Sequence, residues 1–316
     1  MLTTGDLAVI DALSTGREVT AAELATDTGY SQAHLYDVLD GLLEAGLLTE
    51  RRGPNNQRRV QVTDHPVVEA YRTLQSELGY VDWPNLLSAA TVRVCWYLDE
   101  PSRVAEIAAR LDITRQGVHR ALSPLKHRAM LSPSGTAYAL HEDLVPLLAF
   151  ARAVVQHEHR SRVRTIAPSA TVEWCDPKQA LVRVQTAADT EALEAASDWQ
   201  LTGLARFAEY GLQFFLAGEP AFWHSHDGEL TPADVVCHTL ALDSGARRVS
   251  YSMLLIEKLD IDQETLTATA QWYGLESAVN AMYQPLQGAF DASGESPVVL
   301  PSETEFLTLK EQYGVS

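Results

Sequence analysis

Residues Ala22 to Leu48 read A-E-L-A-T-D-T-G-Y-S-Q-A-H-L-Y-D-V-L-D-G-L-L-E-A-G-L-L, and residues Ala105 to Leu131 read A-E-I-A-A-R-L-D-I-T-R-Q-G-V-H-R-A-L-S-P-L-K-H-R-A-M-L. The two lines align without a gap at an offset of 83 residues. Glu23 falls on Glu106, Leu24 on Ile107, Ala25 on Ala108, Ser31 on Thr114, Leu35 on Val118, Leu39 on Leu122 and Leu42 on Leu125. Each line predicts a short helix, a turn, a hydroxyl residue as N-cap, and a longer helix with apolar residues at i, i+4 and i+7. That is helix-turn-helix grammar, and a second copy makes chance a poor explanation.

Around the first copy, Leu7, Ile10 and Leu13 predict a preceding helix over Gly5 to Leu13. Thr20-Ala-Ala-Glu23 reads as a capping box that starts the middle helix, and Gly29 ends it in a left-handed conformation. The helix from Ser31 to Ala45 turns Leu35, Leu39 and Leu42 inward, leaving Gln32, His34, Tyr36 and Asp37 on its polar face. In a winged helix such a face enters the major groove, so Gln32, His34 and Tyr36 are expected to contact DNA, more weakly than the second copy because of Asp37 and Asp40. Two alternating runs, Leu47 to Arg52 and Gln57 to Val62, flank a Gly53-Pro-Asn-Asn56 turn and predict a β-hairpin. Arg51, Arg52, Arg58 and Arg59 crowd its tip with no acid between positions 51 and 63. Guanidinium groups suit phosphate forks and narrow minor grooves, so this hairpin reads as a DNA-contacting wing. A hairpin whose charges only keep a sheet edge soluble is the alternative.

The second copy has its middle helix at Val104 to Leu111 and a helix capped by Thr114, whose outward residues are Arg115, Gln116, His119 and Arg120. Arginine and glutamine match guanine and adenine edges, which makes this the stronger base-reading helix. Pro124 is expected to bend or shorten its C-terminal part. The following hairpin, Met130 to Leu140, carries no arginine. The expectation is one extended surface, with the first hairpin gripping backbone and the Thr114 helix reading bases; a packing or dimerisation role for one copy is the alternative. An apolar helix from Glu142 to Val155 leads into Gln156-His-Glu-His-Arg-Ser-Arg-Val-Arg164.

Charge divides the chain. Its net charge is −18, yet residues 1–166 carry 17 basic against 20 acidic residues and residues 167–316 carry 7 against 22. Any nucleic-acid contact therefore belongs to the front. Only four residues are lysine, a surface composition that resembles proteins of salt-loving archaea; a high-GC genome is the alternative source of the bias. No run reaches 18 apolar residues and no basic segment follows Met1, so neither a membrane span nor a signal peptide is expected. Cys95, Cys175 and Cys237 are widely spaced and read as buried thiols of a reducing cytoplasm.

The capping box, the Glu23-Leu-Ala25 and Glu106-Ile-Ala108 turns, the Leu35, Leu39, Leu42 helix and the Glu44-Ala-Gly-Leu-Leu48 run resemble tandem winged-helix transcription regulators of archaea. These fall within the broad class that includes the multiple-antibiotic-resistance and arsenical-repressor types. In the back half, Leu201-Thr-Gly-Leu-Ala205, Glu209-Tyr-Gly-Leu212 and Leu230-Thr-Pro-Ala-Asp-Val-Val236 resemble the C-terminal domain of abortive-infection-type (type IV) antitoxins and nucleotidyltransferase-like regulators. That resemblance implies a winged helix in front and autoregulation.

Elsewhere in the back half, Thr171 to Cys175 and Ala180 to Gln185 predict paired strands, and Gln213 to Leu216 and Ala221 to His224 two more. Helices are predicted over Asp189 to Asp198, at the centre of Trp199 to Leu212, from Pro232 to Leu242, and over Ser250 to Leu259, Gln263 to Tyr273, Glu276 to Gln287 and the tail. Asp260-Ile-Asp262 has the carboxylate spacing of a nucleotidyltransferase but no Gly-Ser turn before it, so Asp262 reads as a helix cap. His224-Ser-His226 with Asp227 lacks further ligands nearby and reads as structural, and no metal or cofactor is expected. Trp199, Phe207, Phe214, Phe215, Trp223, Trp272 and Tyr273 fit a ligand pocket or an aromatic core equally well.

The expected fold is α+β: winged helices at 1–82 and 83–166, then an acidic α+β domain at 167–316 for dimerisation, sensing or partner contact. The expected function is a cytoplasmic, sequence-specific, homodimeric repressor of transcription bound to double-stranded DNA, without enzymatic activity. The alternatives are an antitoxin whose acidic half binds a toxin-like or other protein partner, and a nucleotidyltransferase-like enzyme.

Overall fold

The offset of 83 residues carries into the backbone. A computed structural model of the chain describes residues 1–214, 220–224, 228–290 and 296–315. The first copy is built from α1 (Thr4–Ala12), β1 (Val19–Thr20), α2 (Ala21–Thr28), α3 (Gln32–Glu44), β2 (Leu48–Arg52) and β3 (Arg58–Val62). After α4 (Pro66–Leu78) and the short α5 (Trp83–Leu86) come α6 (Ala89–Cys95), β4 (Ser102–Arg103), α7 (Val104–Leu111), α8 (Arg115–His127), β5 (Leu131–Ser134), β6 (Ala137–Leu140) and α9 (Val145–Arg164). Both bounds of β1, α2 and α3 reappear 83 residues later in β4, α7 and α8. The two small antiparallel sheets have matching orders, β1-β3-β2 and β4-β6-β5.

The local reasons match too. Thr20 and Glu23 form the capping box that opens α2, and Glu106 reaches back to the Arg103 amide to open α7 at 3.1 Å. Gly29 closes α2 with φ 69°, and Asp112 closes α7 with φ 49°. Gly46 follows α3 with φ 70°, while at the aligned place Ala129 takes φ 53° without glycine's freedom. Pro124 neither shortens α8 nor ends it: the helix runs three residues further and equals α3 in length, 13 residues. The carbonyl that proline leaves without a donor belongs to Arg120, an exposed residue that water can reach, and Leu122 and Leu125 remain buried on either side.

The chain separates into two compact units, Met1–Ser161 and Arg162–Ser316. In the first, a single buried cluster runs from Leu7 to Val154 and includes the inward leucines of α3 and α8. Tyr71 of α4 meets Phe150 of α9 edge-on at 5.4 Å and donates from its hydroxyl to Asp11 at 2.9 Å.

The second unit is built on β7 (Thr171–Cys175), β8 (Ala180–Arg183), α10 (Ala187–Glu194), β9 (Trp199–Thr202) and β10 (Ala221–His224), followed by α11 (Pro232–Leu242), α12 (Ala246–Lys258), α13 (Gln263–Ala270), α14 (Glu276–Leu286) and α15 (Glu303–Tyr313). Its antiparallel sheet has the order β7-β8-β10-β9. The pleat divides the core. Ala221 and Trp223 of β10 join the cluster under α11 to α15, while Phe222 joins a smaller one with Val182, Trp199 and Leu193 of α10. The architecture is α+β.

Trp199 to Thr202 is strand, pairing residue for residue with β10, and the expected helical centre is a 3-10 helix at Gly203–Tyr210. One expectation changes here, the strand over Gln213 to Leu216. Gln213 and Phe214 lie in no strand, and Phe215 and Leu216 fall outside the described residues. His226 and Asp227 also fall outside them. Among the described residues no helix is long and apolar enough to cross a membrane.

Candidate nucleic-acid interface

Burial of Leu35, Val38, Leu39 and Leu42 fixes which face α3 turns outward. Gln32, His34 and Tyr36 are exposed there, but so are Asp37, Asp40 and Glu44. Ser31 caps the helix by accepting from the His34 amide at 3.4 Å, and the His34 ring leans edge-on against Tyr30 at 4.8 Å.

The hairpin arginines are not free. The β2–β3 register places Arg51 opposite Arg59 and Arg52 opposite Arg58, so like charges face each other across the ladder. Carboxylates from outside the hairpin tip answer them. Glu18, next to β1 and so beside β3, is forked by Arg51 through both carboxylate oxygens and lies 3.9 Å from Arg59. Arg58 donates to Asp40 of α3 and, at 2.6 Å, to Glu50 of β2, with its guanidinium 5.3 Å from the Tyr36 ring centre. Its side chain is 12% exposed, against 72% for Arg51. Arg52 reaches the Asn56 carbonyl at 3.5 Å.

The ionisation of these groups follows. The hydrogen bond from Arg51 holds the Glu18 carboxyl below the ordinary range, although partial burial works against it. Burial opposes the charge on Arg58, and its hydrogen bonds to Asp40 and Glu50 outweigh it, so its pKa is raised.

The second copy differs. Thr114 caps α8 by accepting from the Gly117 amide at 3.1 Å, and Val118, Ala121, Leu122 and Leu125 are buried. Thr114, Arg115, Gln116, His119 and Arg120 are exposed. Among the described residues no ion pair or side-chain hydrogen bond engages Arg115, Gln116, His119 or Arg120, and none joins them to the hairpin arginines. The first turn of a helix favours anions through its unpaired amides.

The surroundings add something that the reading of single helices missed. From Ile113 to His141, 29 residues of a chain with 42 acids, there is no Asp or Glu. This run adds Lys126, His127 and Arg128 to the cationic residues, and Lys126 sits 4.0 Å from the centre of the Tyr138 ring on β6. The signal was present as an absence of acids.

In the second unit the remaining candidates act as scaffold. Asp262 caps α13 by accepting from the Thr265 amide at 2.8 Å, and Asp260 takes a left-handed turn, φ 50°, between α12 and α13. Trp199, Phe207 and Trp223 are buried, and Trp272 is exposed. His224 is buried beside Trp199, its Nδ1 2.9 Å from the Asp198 carbonyl, and it also meets Arg162. His238 is buried on α11 between Thr202 (2.8 Å) and Tyr273 (2.7 Å), and burial pushes its pKa down to about 3. In the neutral ring one nitrogen donates and the other accepts, so both partners are satisfied. Among the described residues no group of three or more His, Cys, Asp or Glu is placed to hold a metal ion. Cys95 and Cys237 are buried free thiols, with burial pushing Cys95 up to about 12, whereas Cys175, at the end of β7, is only half-buried rather than buried as expected.

Residues 196–315 match the family model described as HVO_2833_C, C-terminal. The match lies within the second unit and holds none of the residues of α3, α8 or the arginine hairpin. No curated protein matches the chain.

Proposed function

We propose that the protein is a sequence-specific DNA-binding transcription regulator acting as a repressor. In this reading residues 1–82 and 83–166 are tandem winged helices, and residues 167–316 form an acidic domain for dimerisation, sensing or contact with a protein partner. The observation that carries it is the outward face of α8: Arg115, Gln116, His119 and Arg120, exposed and unpaired among the described residues, at the N-terminal end of a buried-backed helix inside a run without acids. In helix-turn-helix proteins the N-terminal residues of the second helix of the motif reach base edges in the major groove.

Arg115 and Gln116 supply the donor and acceptor patterns that read guanine and adenine. Lys126 and Arg128 add charge at the far end of α8 for the phosphate backbone. Residues 167–316, with 7 basic against 22 acidic side chains, are too acidic to contribute by charge. Repression needs only that the bound protein occlude its site.

Selection of bound duplexes from a random pool tests the reading. Wild-type protein is expected to enrich a defined motif, and the Arg115→Ala, Arg120→Ala double variant to lose it. Enrichment of the same motif by both proteins would remove α8 from the reading role.

A further inference from the structure

The hairpin of the first copy holds four arginines, and three carboxylates occupy three of them: Glu18 on Arg51 and Arg59, Asp40 and Glu50 on Arg58. We propose that Glu18, Asp40 and Glu50 are specificity-determining residues of the DNA site, holding these arginines back from phosphates of arbitrary sequence and releasing them when α8 has engaged its bases. The inference rests on the DNA-binding reading above and names a control on that same site.

Carboxylate and phosphate present comparable oxygen pairs to a guanidinium fork, so each carboxylate occupies the place a phosphate would take. Non-specific affinity for duplex DNA comes almost entirely from phosphates neutralised by Lys and Arg. Three internal carboxylates therefore subtract from binding to any sequence, and subtract less where base contacts already hold the duplex in place. Each pair keeps one exposed member, Arg51 at 72% and Asp40 at 68%, against a more covered partner, Glu18 at 17% and Arg58 at 12%, so a phosphate can compete from the open side.

The sister copy sharpens the point. At positions aligned with Glu18, Asp40 and Glu50 it has Pro101, Ser123 and Pro133, and its hairpin has no arginine. Acids and arginines thus occur together in one copy and are missing together from the other. Relief of the cross-strand repulsion between Arg51 and Arg59 and between Arg52 and Arg58 is the purely structural account of the acids. It predicts a less stable hairpin without them, and no gain in DNA binding.

The test uses the full chain carrying Glu18→Gln and Asp40→Asn, a random-sequence duplex, and the duplex enriched by wild-type protein, titrated across salt. The variant is expected to bind the random duplex about 10-fold more tightly at low salt, with a log–log salt slope steeper by about 1 to 2, since each added phosphate contact contributes about 0.9. Its preference for the enriched duplex over the random one should fall. Adding Arg51→Ala and Arg58→Ala should abolish the gain, and Glu77→Gln, an exposed acid of α4, should not reproduce it.

Unchanged random-duplex affinity and slope would overturn the inference, and so would a gain that survives removal of the two arginines. Glu18→Gln alone, which frees the well-exposed Arg51, serves as the second variant if the double variant melts early; equal random-duplex binding by it and wild type would again count against the proposal. Wild-type protein that retains no duplex at any salt would overturn the DNA reading itself, a result distinct from wild-type binding that the variants leave unchanged.

Discussion

At the offset of 83 residues, Gln32 stands where Arg115 stands, Ala33 where Gln116 does, Tyr36 where His119, Asp37 where Arg120, Asp40 where Ser123 and Glu44 where His127. The inward positions of the same two helices carry Leu35 and Val118, Leu39 and Leu122, Leu42 and Leu125, all buried. One face has kept its chemistry and the other has reversed its charge. Close packing constrains buried volume to within a methylene or so, whereas exposed positions change at little cost to stability. The pair of helices therefore separates what holds the unit together from what the unit presents to a partner.

The comparison yields three expectations, from largest effect to smallest. Leu39→Ala and Leu122→Ala remove aligned, fully buried side chains, and each should cost about 2–5 kcal/mol of unfolding free energy by denaturant titration. A small loss in only one of them would mean that the two cores are not equivalent. Arg115→Ala should weaken binding to the selected duplex by about 1–3 kcal/mol and relax its sequence preference. Gln32→Ala at the aligned position, on a face that also carries Asp37, Asp40 and Glu44, should weaken that binding less. Equal losses in equilibrium binding would erase the proposed division between α3 and α8.

The smallest effect concerns the turn after each helix. Gly46→Ala puts a Cβ into a left-handed backbone and should destabilise by about 1 kcal/mol, while Ala129→Gly relieves the same conformation and should raise the melting temperature slightly. A loss of stability in Ala129→Gly would show that the alanine methyl contributes more than its backbone strain costs.

Much of this was readable before any coordinates. The N-caps Ser31 and Thr114, the bounds of α2, α3 and α7, and the cap at Asp262 all follow from local rules, in which a side chain meets an amide three residues away, whereas the run of α8 past Pro124 goes against them. The pairing of Glu18 with Arg51 was not readable. The two are 33 positions apart, and only the β1–β3 ladder together with the β2–β3 register brings them side by side. Counting acids between positions 51 and 63 missed Glu50 by one residue and Asp40 on the neighbouring helix. The strand at Trp199 to Thr202 is not legible for a related reason: Leu201, Leu204 and Phe207 keep helical spacing, but pairing with β10 decides the conformation of the first four residues. The face of α8 was legible because its burial pattern is local, while its continuation through Lys126 to Arg128 shows only when missing residue types are counted.

The neutral imidazole of His238, held between Thr202 at the end of β9 and Tyr273 in the turn after α13, makes the second unit a proton-linked body. The unfolded chain takes up a proton as pH falls through about 6.5, whereas the folded ring resists until about 3. Stability from this one residue is therefore complete above about pH 6.5 and declines on acidification by about 1.4 kcal/mol per pH unit across that window. Acid should loosen the sheet-and-helix layer around Thr202 and Tyr273 from within, through a side chain that never meets solvent in the folded state.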